Sequence, residues 1–153
     1  MADNVAVFRP GDNARIKAAM KKAVLEALLK DKKIDLNTIL SKEFANGTEL
    51  SGGQWQRIAL ARDMYTNAQV ELLDEPTAAL DAKSENEIYQ HFLAENKGKT
   101  IIFVTQRLSA VKYADKILFL QNGKILGFDT HEKLIIRNAD YRNMYNLQKD
   151  TYI

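Results

Sequence analysis

Two short apolar runs constrain the fold of this chain more than any other feature. Val70 to Leu73 and Thr100 to Thr105 read as strands. Between them lies a stretch of helical spacing, where Asp81 is placed as N-cap and Ile88, Tyr89 and Phe92 fall on the apolar face. The second run is β-branched, aromatic and apolar, the pattern of a strand buried on both faces. Strands alternating with helices predict an α/β domain with parallel pairing. Its end is a hairpin, because Lys116–Gln121 and Lys124–Phe128 flank Asn122-Gly123, a dipeptide that tolerates the positive φ angles of a two-residue turn.

The rest of the chain is helical or connecting. Asn13 to about Lys33 predicts an amphipathic helix capped by Asp12, with Ile16, Ala19, Met20, Ala23, Val24, Ala27 and Leu28 on one face. Ile34 to Leu50 is a connector with a turn at Asn46-Gly47. A second helix starts at Ser51 and reaches about Tyr65, and Pro76 interrupts regular structure after the first strand. Thr130 caps a last helical region that breaks near Asn138-Ala139 and ends near Lys149. No repeat, low-complexity stretch or linker divides the 153 residues, so one domain with its own core is expected.

Composition removes several classes of function. At 46% hydrophobic and 27% charged residues the chain is not a disordered one. The absence of Cys excludes disulfides, thiolate metal sites and thiol nucleophiles. Ile101 to Val104 is far short of the ~20 apolar residues a membrane helix needs, and Met1-Ala2-Asp3-Asn4 does not read as a signal peptide. His91 and His131 lack the paired spacing of a zinc site. A net charge of +2 gives no mandate for nucleic acid, and none is expected as a partner.

Local charge says more. Residues 1–33 carry eight Lys/Arg and four Asp/Glu, whereas residues 69–95 carry seven Asp/Glu and only Lys83. Most of that acidity reads as a solvated helix face. Asp74-Glu75 differs, because it directly follows Leu72-Leu73 at the end of a strand. Adjacent carboxylates there are costly unless a cation or a reaction uses them.

Leu50-Ser51-Gly52-Gly53-Gln54 has two readings. Ser51 and Gln54 make a capping box at a helix start. The same geometry is an anion site: the glycines leave backbone N–H groups bare, Ser51 adds a hydroxyl, and the helix dipole favours negative charge. The sequence around it decides between them. Glu49-Leu50-Ser51-Gly52-Gly53-Gln54-Trp55-Gln56-Arg57-Ile58-Ala59-Leu60-Ala61-Arg62 resembles the signature segment of exporter-type ABC transporter nucleotide-binding domains. Leu72-Leu73-Asp74-Glu75-Pro76-Thr77 resembles their Walker B strand, Ala79-Leu80-Asp81 their D-loop, and Thr105-Gln106-Arg107-Leu108-Ser109 their switch region. Thr130-His131-Glu132-Lys133-Leu134 is similar to the exporter tail.

This resemblance implies a partial P-loop NTPase fold: a helical subdomain and signature helix over residues 1–65, then Walker B, D-loop, switch region and C-terminal helices over residues 66–153. It implies ATP and Mg²⁺ as ligands, a second ABC ATPase domain packed head to tail, and a membrane-spanning transport domain. The expected place is the cytoplasmic side of the membrane. Ser51, Gly52, Gly53 and Gln54 would face the γ-phosphate of a nucleotide held mainly by the partner domain. Asp74 would hold Mg²⁺ through water, Glu75 would act as general base, and Asp81 would serve the dimer interface.

The pattern also departs from the family. Gly-x-x-x-x-Gly-Lys-Ser/Thr does not occur; Gly98-Lys99-Thr100 supplies its last three positions, but residue 93 is Leu, and the tripeptide precedes a strand, so it reads as a turn. The chain opens where the family's helical subdomain opens, so the half carrying the P-loop is not in it: either the chain is a fragment or a split or degraded gene product, or another chain supplies that half. Gln106 stands at the switch histidine, replacing a proton-accepting ring by a neutral amide. Glu71 stands where an apolar residue is preferred, either edge-exposed or buried at a cost. Asp129 stands where the family has glycine, which matters only at positive φ. An active ATPase part, a non-enzymatic interaction module, and an ABC ATPase of DNA repair or translation are the readings to separate. The exporter-like tail argues against the last.

Overall fold

The computed structural model describes residues 1–25, 30, 34–95 and 98–151. They form two compact units, residues 1–104 and residues 105–153.

In the first unit, α1 (Ala2–Ala6) and α2 (Asn13–Lys22) share a core with α3 (Gly52–Thr66). Asp12 caps α2 as expected, its carboxylate accepting the N–H groups of Ala14 at 2.9 Å and Arg15 at 3.1 Å. The helix stops at Lys22, short of the predicted end. Val24 turns left-handed at φ 54°, and the N–H of Leu25 reaches back to the carbonyl of Met20. The turn carries Leu25 into the core, where none of it is exposed. Burying a leucine gives about 2 kcal/mol, enough to offset the ~1–2 kcal/mol cost of a β-branched residue at positive φ. The predicted face positions Ala27 and Leu28 lie outside the described residues.

β1 (Val70–Asp74) and β2 (Thr100–Val104) pair in parallel, Val70 opposite Thr100 and Asp74 opposite Val104, with α4 (Ala82–Glu95) as the crossover. Tyr89 and Phe92 of α4 meet the Phe103 ring edge-on, with centroids 5.4 and 6.0 Å away. The opposite face is bare. Val70 and Leu72 are 61% and 68% exposed, and Ile102 and Val104 are about half exposed. The expectation that β2 is buried on both faces is therefore corrected: in this unit helices cover one face of a two-stranded sheet. Gly98, at φ 88°, lies in the predicted turn before β2.

The second unit starts with a 3₁₀ helix (Leu108–Tyr113) and the predicted hairpin, β3 (Ile117–Gln121) and β4 (Lys124–Asp129). Asn122 and Gly123 take φ of 50° and 72°, the twist a two-residue hairpin needs. Phe119 packs against Leu134 of α5 (His131–Arg137) and Tyr141 of α6 (Ala139–Thr151). Gly127 faces the same helix: a Cβ there would come within 2.7 Å of a Leu134 methyl, which would have to shift to admit it. Leu118, Leu120, Ile125 and Phe128 remain exposed. Asp129 is not at positive φ, so it carries no strain in place of glycine, and its carboxylate takes the Thr130 N–H and the Lys133 ammonium.

Candidate functional site

α3 begins where its sequence supplies a cap. The Ser51 hydroxyl oxygen accepts the Gln54 N–H at 3.3 Å, and the Gln54 Oε1 accepts the Ser51 N–H at 2.9 Å, so the predicted capping box is formed. The N–H groups of Gly52 and Gly53 stand in the first turn, where no carbonyl lies one turn back. A Cβ on Gly52 would meet nothing within 4 Å, so the approach to the helix start is open. Gly53 is closed in: a Cβ there would lie 2.9 Å from the Ala79 carbonyl oxygen. The start of α3 therefore lies directly against the loop after β1.

That loop carries the carboxylates. Asp74 is exposed at the end of β1, and Glu75 follows half-buried at φ 44°, its N–H donating to the Val104 carbonyl at 2.8 Å. Both sit at the carboxyl end of parallel strands, the edge at which open α/β sheets bind ligands. The exposed Asp74 oxygens are hard donors suited to Mg²⁺, which takes few protein ligands. The open N–H groups beside Ser51 suit a phosphate oxygen. Asp81 caps α4, accepting the Ser84 hydroxyl at 2.7 Å and the Ser84 N–H at 3.0 Å, and these bonds hold its carboxyl below the usual carboxylate range. The same hydroxyl accepts from Arg57, whose buried guanidinium also donates to the Val24 carbonyl.

The first unit thus brings Ser51, Gly52, Gly53, Gln54, Asp74, Glu75 and Asp81 onto neighbouring elements. Gln106 belongs to the second unit, where its side is exposed and its carbonyl accepts the Gln148 amide at 2.9 Å. Arg62 bonds the Asn4 carbonyl and His131 bonds the Tyr141 hydroxyl. A groove of about 230 Å³ lined by Arg15, Lys22, Met64 and Tyr65 contains none of the candidate residues.

Three polar groupings escaped the sequence reading. Gln56 bonds the backbone of Glu75 and of Ala79; its position three residues after Gly53, on the same face of a helix, was the available signal. Thr77, fully buried, holds Glu85 and Tyr89 through its hydroxyl. Glu71 is buried but not unpaired, because Lys99 reaches it at 2.8 Å. Among the described residues, its second oxygen and one of Asp63 are buried and find no hydrogen-bond partner. Burial, and then the Glu71 charge, push the Asp63 carboxyl up to about 6.

The family profile described as ABC transporter matches residues 2–78. An ATP-dependent lipid A-core flippase from a Polaromonas species is 37% identical over 147 residues, 96% of this chain and 24% of that protein. The subtilin transport ATP-binding protein of Bacillus subtilis is 44% identical over 108 residues, 71% of this chain and 18% of that protein. The solved structure of a bacterial Atm1-family ABC exporter with ATP bound superposes with a TM-score of 0.82 at 29% identity, covering 97% of this chain and 26% of that one. The chain spans about a quarter or less of the length of these relatives.

Proposed function

The chain belongs to the ABC transporter family, and from that premise we propose that it supplies the signature motif, the Mg²⁺-binding carboxylate and the catalytic base of an ATP-hydrolysing exporter domain. The observation that carries this reading is the pair Asp74-Glu75 at the carboxyl end of β1, leading into the loop that meets the start of α3. Ser51, Gly52, Gly53 and Gln54 hold γ-phosphate oxygens of a nucleotide bound chiefly by a second such domain packed head to tail. Asp74 would hold Mg²⁺ through water, and the ion, when bound, would supply positive charge against the nucleotide phosphates. Glu75 accepts a proton from the attacking water, Asp81 relates the site to the dimer interface, and Gln106 donates its amide to a phosphate oxygen.

The cradle for the β-phosphate, with its Lys and backbone N–H nest, has no counterpart in the sequence. We assign it to a P-loop half of the domain, so that residues 1–153 act as one partial ABC ATPase domain attached to a membrane-spanning transport domain on the cytoplasmic side. Among the described residues no helix is long and apolar enough to cross a membrane. The same missing cradle favours, for the chain by itself, a non-catalytic module. Phosphate release from Mg²⁺-ATP separates the two. The isolated chain is expected to release no more than buffer does, and the chain combined with a P-loop half from a related exporter is expected to turn over in a way that Glu75→Gln abolishes. Turnover by that combination that survives Glu75→Gln would refute the assignment.

A further inference from the structure

Glu75 sits in a backbone conformation that non-glycine residues rarely adopt, at φ 44°. Such a residue keeps its conformation only where its surroundings over-determine it. Its N–H is fixed by the Val104 carbonyl at 2.8 Å. Its carbonyl accepts the Ala78 N–H at 3.2 Å and, more closely, the side-chain amide of Gln56 at 2.7 Å. The same Gln56 amide accepts the Ala79 N–H through its oxygen at 2.9 Å. Its orientation is unambiguous, since a carbonyl only accepts and a backbone N–H only donates. One side chain therefore ties both ends of the loop 75–79. It does so from α3, three residues after Gly53, whose Cα faces the Ala79 carbonyl so closely that no Cβ fits.

We infer that Gln56 is a positioning residue: its amide fixes the backbone of Glu75, and hence the aim of the carboxylate, to the helix whose start presents Ser51 and Gly52. A shift of α3 is then transmitted to the loop 75–79 through two hydrogen bonds, one of them directly to the Glu75 carbonyl. The clamp itself stands on the geometry, and its catalytic consequence rests on the function proposed above. Placing a base incorrectly by a fraction of an ångström lowers turnover without weakening ground-state binding.

Two variants and two readouts test this. Gln56→Met keeps the length of the side chain and removes both bonds; Gln56→Glu keeps the acceptor for Ala79 and loses the donor to Glu75. Hydrogen exchange of the 153-residue chain, read by mass spectrometry on the segment spanning residues 76–81, should show the Ala79 amide exchanging about tenfold faster in Gln56→Met and near the unmodified rate in Gln56→Glu, with α3 unchanged. With the P-loop half supplied, kcat for ATP should fall by about 10²-fold in both variants while KM stays within about twofold. Equal exchange in the unmodified chain and Gln56→Met overturns the clamp whatever the activity. Faster exchange with unchanged kcat overturns the positioning role and leaves a merely structural bond. Absence of Glu75-dependent turnover in the unmodified combination would remove the catalytic reading, with the exchange data deciding the clamp alone.

Discussion

β3–β4 closes its inner face with Phe119, Leu134 and Tyr141, whereas β1 carries Glu71 into the interior beside Leu73 and balances it with Lys99. Both sheets have two strands, one covered face and one bare face. They differ in what the covered face is made of and in how far the contacts reach along the chain. The hairpin is fixed by neighbours in sequence and by ring and aliphatic packing. The strand pair packs Phe103 on Tyr89 and Phe92 and adds polar ties: Lys99 on Glu71, Gln56 on Glu75 and Ala79, Arg57 on Ser84. Polar fixation sets direction more sharply than apolar contact does, and it fails more abruptly when one partner is lost.

The largest effect expected from this contrast is at Lys99. Lys99→Met leaves the Glu71 carboxylate buried without its cation and should lower unfolding free energy by about 3–5 kcal/mol. Adding Glu71→Leu should return most of that loss, as chemical denaturation of both variants would show; no recovery would mean that the ion pair is not what Lys99 contributes. Next is Gln106, which asks whether the hairpin unit takes part in turnover at all. With the P-loop half supplied, Gln106→His should raise kcat at least tenfold with apparent nucleotide affinity nearly constant, since one preorganised electrostatic contact is worth about 3–4 kcal/mol. Equal rates, with Glu75→Gln inactivating both forms, would make the amide a working substitute.

Gly127→Ala strikes the apolar region. Its methyl would meet the end of the buried Leu134 side chain and force it to shift, at a cost of about 1–2 kcal/mol of stability, read as a lowered thermal midpoint. A neutral outcome would show that the small aromatic core yields more easily than the polar region. The smallest effect is a pH dependence. The folded-state value of Asp63 is raised, to about 6 against an unfolded value near 3.8. Its contribution to stability is therefore complete below pH ~4 and is lost as pH rises through ~6. The chain should be more stable at pH 5 than at pH 7 by about 1 kcal/mol after allowing for the half-exposed site, and Asp63→Asn should flatten that difference. A slope that persists in Asp63→Asn would place it on another group.

Local signals carried much of the fold into view. The Ser51–Gln54 capping box, the Asp12 and Asp81 caps, the Asn122-Gly123 turn and the break before Ala139 are formed, each written within four residues of sequence. What was not legible depends on distance in space. Glu71 gave no hint of Lys99, 28 residues away, and the apolar character of Ile102 and Val104 could not say that their face would be bare. The site divides in the same way. Its residues were readable as motifs, but the amide that joins Gln56 to Glu75 was visible only once α3 lay against the loop.

The crossover between β1 and β2 has a consequence for the order of folding. A hairpin closed by two residues forms in about 1–10 μs. β1 cannot pair until α4 has formed and folded back, and the longer loop makes that closure slower and entropically dearer. A full-length chain refolding from the denatured state therefore closes its hairpin while Val70, Leu72 and the unpaired edge of β1 still wait for a partner. In that interval any other extended apolar segment competes for the edge, including β1 of a second copy. Yield on refolding should then fall with protein concentration more steeply than equilibrium stability alone would suggest.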